Sequence, residues 1–175
     1  MAQAGGPSDD MGGSIGAAPA ILREPLVFPY VQGLVFTQAV KKGAGDGWSG
    51  VDAAYAAPPL STEQILHPET YVGDNPDWPT RLEAKADRWL GAGWDVVDSD
   101  TFGELGIALM LRQHDAGADA AAAAAGWDGD RYWTFQKGDA GALVWHTVWD
   151  TADDAAQFEA TMSSAATQLR TGPWT

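Results

Sequence analysis

The sequence contains no cysteine, which excludes disulfides, thiolate metal sites and a cysteine nucleophile. Histidine is scarce, with only three in the chain. Basic residues are scarce too: 10 Lys and Arg stand against 24 Asp and Glu, for a formal net charge of −14. Such a surface repels phosphate backbones and anionic membranes, so nucleic acid is not an expected partner. A protein partner, a cation, or a small neutral or cationic ligand remains open. The charge also serves solubility. No run of about 18 apolar residues occurs, so no membrane span is expected. The stretch Met1–Asp10 has neither a basic region nor an apolar core, so it does not read as a signal peptide. If the chain is complete as given, it is expected to be cytoplasmic.

Motifs for common chemistries are missing as well. There is no Gly-x-Ser-x-Gly elbow, phosphate loop, dinucleotide fingerprint or His-Glu-x-x-His. Gly43-x-Gly-x-Gly47 has three glycines, but it follows a helical pattern and not a strand. The acidic groups Asp95, Asp98, Asp100 and Glu104, and Asp128 with Asp130, lack the calcium-loop signature. They read more simply as turn and cap residues. No cofactor and no metal is expected.

What is present is enough for one folded domain. The chain has 175 residues, 45% of them apolar, and nine tryptophans, each able to bury a large area. Residues 1–20 are rich in Gly, Ala, Ser and Pro and read as a flexible arm. Residues 21–175 read as a single domain. From Pro25 to Lys42, Leu26, Val27, Tyr30, Val31, Leu34, Val35 and Ala39 recur at helical spacing. Phe28 and Phe36 widen that stripe, so this helix is expected to be central. A short helix over Trp48–Ala56 ends at Pro58-Pro59. Arg81–Ala84 is expected as a short strand, Ala86–Leu90 as a helical turn, and Trp94–Asp98 as a strand. Thr101 and Glu104 have capping-box spacing at the start of a helix. The run Ala120–Ala125 is a strong helix former, with Gly126 as its cap. Arg131–Lys137 and Ala142–Trp149 form a hairpin, and Asp150 or Thr151 caps a last helix. The fold class is α+β: N-terminal helices, then a small antiparallel sheet in the order β-α-α-β-β-α, packed by helices.

Two groups of residues could carry function. In Ser61–Tyr71, Glu63 and His67 are spaced i, i+4, and Glu69 follows Pro68. Two carboxylates and an imidazole could run acid/base chemistry or hold a cation. The structural account competes: Ser61 and Gln64 have capping-box spacing, and His67 ends the turn before a proline. In the hairpin, alternation places Ala142, Val144, His146 and Val148 on one face and Leu143, Trp145, Thr147 and Trp149 on the other. Arg131, Trp133 and Phe135 share a face of the partner strand. Trp133, Phe135, Trp145 and Trp149, with Arg131 at the edge, are expected to form one aromatic face. That face is either core or a ligand-binding surface.

Five blocks, "LREPLVFPYVQGLVF", "GWSGVDAAYAAPPLSTEQILHPETY", "GWDVVDSDTFGELGI", "AAGWDGDRYW" and "LVWHTVWDTADDAAQF", carry a family resemblance over residues 18–160. Together they resemble the C-terminal part of a family of uncharacterised bacterial lipoproteins and archaeal surface proteins. Longer members look similar to gluzincin-type peptidase scaffolds in their N-terminal helices. The resemblance implies an extracytoplasmic or cell-surface setting, and an abbreviated member or excised domain. It carries no zinc ligand over, because gluzincins bind zinc through His-Glu-x-x-His. The expected role is a non-catalytic interaction or structural module on a degenerate peptidase-like scaffold. The alternatives are a small metal-dependent or acid/base hydrolase centred on Glu63, His67 and Glu69, and a subunit of a larger assembly.

Overall fold

The computed structural model describes residues 16–114 and 119–171. Most of the arm expected over residues 1–20 lies outside them. Helix α1 spans Ala20–Gly43, starting five residues before the expected Pro25 and holding both Pro25 and Pro29 inside it. It can do so because the amides of Leu22 and Arg23 both bond to the Pro19 carbonyl, which nucleates the first turn early. Pro25 and Pro29 sit on exposed positions, where carbonyls that lose a helical donor can turn to water. The helix is not central: only Phe36 and Val40 are buried. After a turn with positive φ at Gly45 and Asp46 comes α2, Ser49–Ala56. The two helices touch at Gly50, where a Cβ would lie 2.7 Å from the Val40 carbonyl oxygen.

The one-turn helix α3 covers Glu63–Leu66, a 3-10 turn covers Pro68–Thr70, and α4 covers Ala86–Leu90. Arg81–Ala84 is irregular, not the expected strand. The preceding residue explains why. The Thr80 amide and hydroxyl both bond to Asp128, and the Thr80 carbonyl crosses so close to Gly129 that a Cβ there would meet it at 2.5 Å. The contact with β2 is thus made at Thr80, and no ladder continues through Arg81–Ala84.

Strands β1 (Asp95–Asp100), β2 (Trp127–Lys137) and β3 (Ala140–Trp149) form an antiparallel sheet in the order β1-β2-β3. A two-residue turn, Gly138-Asp139, joins β2 to β3, with Gly138 at φ 58° as such a turn requires. Helix α5 (Gly103–Gln113) and α6 (Asp119–Ala124) lie between β1 and β2 in sequence, and α7 (Ala152–Thr171) ends the described chain. The architecture is α+β, as the patterning indicates. The core packs Ile107 and Leu111 of α5, Ala120, Ala123 and Ala124 of α6, and Phe158 of α7 against Trp127.

The start of α5 sets the geometry of the site. The expected Thr101/Glu104 capping box does not form. Asp130 of β2 caps the helix from across the fold. Its Oδ1 accepts from the Gly103 amide (2.8 Å) and Trp127 Nε1 (2.9 Å), its Oδ2 from the Phe102 amide (3.0 Å) and Trp145 Nε1 (2.8 Å). A buried carboxylate with four donors is fully satisfied. Thr101 donates to the Asp130 carbonyl instead. Thr62 Oγ1 accepts from the Leu105 amide at 3.2 Å, which stitches the start of α3 to the start of α5.

Candidate functional site

The Ser61–Tyr71 stretch is organised by Gln64. Ser61 Oγ accepts from the Gln64 amide at 3.2 Å, as a capping box requires, but Gln64 Oε1 reaches the Leu60 amide at 2.8 Å. Gln64 is fully buried, and its Nε2 donates to the Asp77 carbonyl. This bond holds the 72–80 loop against α3 and brings Asp77 beside Glu63.

His67 ends α3 and points at α5. Its Nε2 lies 2.8 Å from Glu104 Oε1. Glu104 is only 5% exposed, and its buried Oε2 has no hydrogen-bond partner among the described residues. Glu69 is exposed, with an oxygen 3.9 Å from His67 Nδ1. Glu63 does not join this pair by a hydrogen bond; its carboxylate faces Asp77 and Asp150. One carboxylate oxygen from each of Glu63, Asp77 and Asp150 lies within 4.8 Å of the others. The three candidates Glu63, His67 and Glu69 therefore do not converge on one point. The centre that exists is a wider one, with Glu104, Asp77 and Asp150 in place of Glu69.

The electrostatics follow from burial and like charge. Burial, then Asp77, Asp150 and Glu104, push the Glu63 pKa up to about 8. Burial also raises Glu104, against the opposing pull of His67. For His67, burial works downward, but the bond to Glu104 and the charges of Glu104, Glu69 and Glu63 outweigh it and hold its pKa above the ordinary histidine value. Burial and the neighbouring Asp77, Asp128 and Asp154 raise Asp150. His67 and Glu104 also line a cavity of about 460 Å³ between α1, α3, α5 and α6, whose other walls include Leu66, Leu105, Ala108 and Arg112.

The expected single aromatic face does not exist. The register pairs Trp133 with Val144, Arg131 with His146, and Tyr132 with Trp145. Directly paired residues share a face, so Arg131, Trp133 and Phe135 lie opposite to Trp145 and Trp149. Alternation holds within each strand, but the partner's phase is set by the turn, which a strand pattern alone does not reveal. Trp133 and Phe135 are buried under Trp89 of α4, with ring centroids 5.1 and 6.5 Å away. Trp145 packs on Phe102 and Phe158, and Trp149 stacks on Phe158 at 4.6 Å. Trp133 and Phe135 are core, and Trp145 and Trp149 are half-buried against it. Arg131 donates to Ser99 Oγ at 2.7 Å and lines a cavity of about 450 Å³ with Leu60, Thr80 and Arg81.

A row of exposed apolar side chains lies elsewhere, on α1. Leu22, Leu26, Val27, Tyr30, Val31, Leu34 and Val35 are between 46% and 80% exposed. Their spacing is plain in the sequence; that they face outward is not. No helix among the described residues is long and apolar enough to cross a membrane.

Residues 90–173 match a domain of unknown function, DUF8575. The match covers just under half of the chain: the sheet and helices α5 to α7. The acidic centre straddles its boundary. Glu104 and Asp150 lie inside it, while Glu63, His67 and Asp77 lie before it. No curated protein and no solved structure matches the chain.

Proposed function

We propose that the chain is a non-catalytic interaction module of a surface or extracytoplasmic protein, docking another protein through the outer face of α1. The resemblance of residues 18–160 to lipoproteins and surface proteins supports the setting. The observation that carries the docking role is the run of seven half-exposed or more exposed apolar side chains on one helix, with Tyr30 at 80%. A cluster of exposed apolar side chains on one helix of an acidic protein marks an interaction site. A partner with its own apolar helical face would remove it from water in the helix-on-helix manner. Sedimentation across a concentration series, with and without an amphipathic helical probe peptide, tests this. Wild type is expected to self-associate or bind the probe, and Leu26→Glu with Tyr30→Glu to abolish that at unchanged melting temperature. A wild type that stays monomeric and ignores the probe would refute the docking role.

A second reading rests on one observation: the His67–Glu104 pair lines a cavity. A histidine oriented by a buried glutamate can act as a general base in a hydrolase. Turnover of ester or peptide substrates that is lost in a folded His67→Ala chain would select it. Its absence across such substrates leaves the pair as architecture.

A further inference from the structure

We infer that Glu63, Asp77 and Asp150 form a binding site for a hard divalent cation of calcium's size. The site is independent of the α1 surface and was not expected from the sequence.

Three carboxylate oxygens lie within 4.8 Å of one another. Some point then lies within about 2.8 Å of all three, close to the roughly 2.3–2.6 Å of calcium–oxygen bonds. The three residues come from distant segments, and the backbone holds each one. The Glu63 carbonyl accepts from the His67 amide at 2.7 Å. The Asp77 amide donates to the Thr70 carbonyl at 2.7 Å, and the Asp150 amide to the Gly126 carbonyl at 2.8 Å.

Glu63 is the buried member of the three. It is only 4% exposed, yet among the described residues no donor reaches its carboxylate and no Lys, Arg or His pairs with it. It neither caps a helix nor closes a turn. Beside it, Glu104 Oε2 is fully buried and has no donor among the described residues. A buried carboxylate with no compensating partner is costly, and one cation would compensate Glu63 and both of its neighbours. Asp150 is exposed, which gives the ion a way in.

The donor set selects the ion. All three ligands are oxygens, with no thiolate or imidazole among them, so hard cations are favoured over zinc or copper. Magnesium needs oxygens at about 2.0–2.1 Å in near-octahedral order, whereas calcium accepts irregular geometry and completes its shell with carbonyls and water.

The test uses the whole chain stripped with EDTA. Calcium is added alone and followed by calorimetry and thermal melting, and terbium luminescence is read through tryptophan, since Trp78 adjoins Asp77. The expected result is one saturable site that raises the melting temperature. Asp150→Asn, at an exposed position, should weaken binding by roughly ten-fold or more. Glu63→Gln should abolish binding and leave the metal-free chain folded and no less stable. No saturable response up to about millimolar calcium would overturn the site, since that is where the weakest extracellular sites bind. An equal response in wild type, Asp150→Asn and Glu63→Gln would overturn it too. Magnesium binding as tightly as calcium would overturn the assignment by size.

Discussion

At the scale of single residues, two carboxylates do unlike work with like chemistry. Asp130 accepts four hydrogen bonds and joins the start of α5, strand β2 and two tryptophans. Asp130→Ala strands two buried and two part-buried donors, so a loss of roughly 3 kcal/mol or more is expected by urea denaturation. Glu104 has one partner, and removing it has a different signature. His67→Ala leaves Glu104 buried with neither oxygen bonded, at an expected cost of about 1–3 kcal/mol. His67→Ala with Glu104→Leu should recover most of that, because a deleted pair costs less than an orphaned partner. If the double variant is no better than the single one, the pair is not what holds α3 to α5.

At the scale of elements, the helix ends show how far local spacing can be trusted. Thr151 and Asp154 form the cap that spacing indicates for the last helix. The Asp154 amide bonds to Thr151 Oγ1 at 3.2 Å, and the Thr151 hydroxyl returns to Asp154 Oδ2 at 2.6 Å. Thr151→Ala should cost α7 about 1 kcal/mol, read as a shift in the urea midpoint. Thr101 and Glu104 have the same spacing and form no cap, because Asp130 reaches the helix start first and His67 claims the glutamate. Spacing proposes a cap, and competition from distant side chains decides it. Helix α1 makes the same point for packing. Its apolar period is legible, but a period states only that a face wants burial, not that this domain provides it.

At the scale of the whole molecule, charge and burial act in one direction. Glu63 has a folded-state pKa of about 8 against an ordinary 4.5, so its neutral form is favoured by folding. That contribution is complete below about pH 4.5 and is lost as pH rises to about 8. Glu104 and His67 are raised as well, so each favours the folded state more in its protonated form. All three signs agree. In EDTA the chain should be less stable at pH 8 than at pH 5.5 by urea denaturation, and Glu63→Gln should flatten that slope. With a net charge of −14, added salt should recover part of the loss at pH 8 by screening repulsion. A chain equally stable at both pH values would show that these groups titrate alike when folded and unfolded.

The sequence by itself determined the α+β class, the hairpin, the alanine helix and the capped last helix. Each rests on contacts between residues near in the chain, where period, turn chemistry and cap spacing act directly. It also marked His67 as a residue to watch. Only the tertiary structure decided the phase of the two hairpin strands, the outward face of α1 and the partners of His67 and Glu63. The acidic centre joins residues as far apart as Glu63 and Asp150. No linear spacing encodes that meeting: the Gln64 bond to the Asp77 carbonyl and the Thr62 bond to the Leu105 amide bring its parts together, and both exist only once the chain is folded.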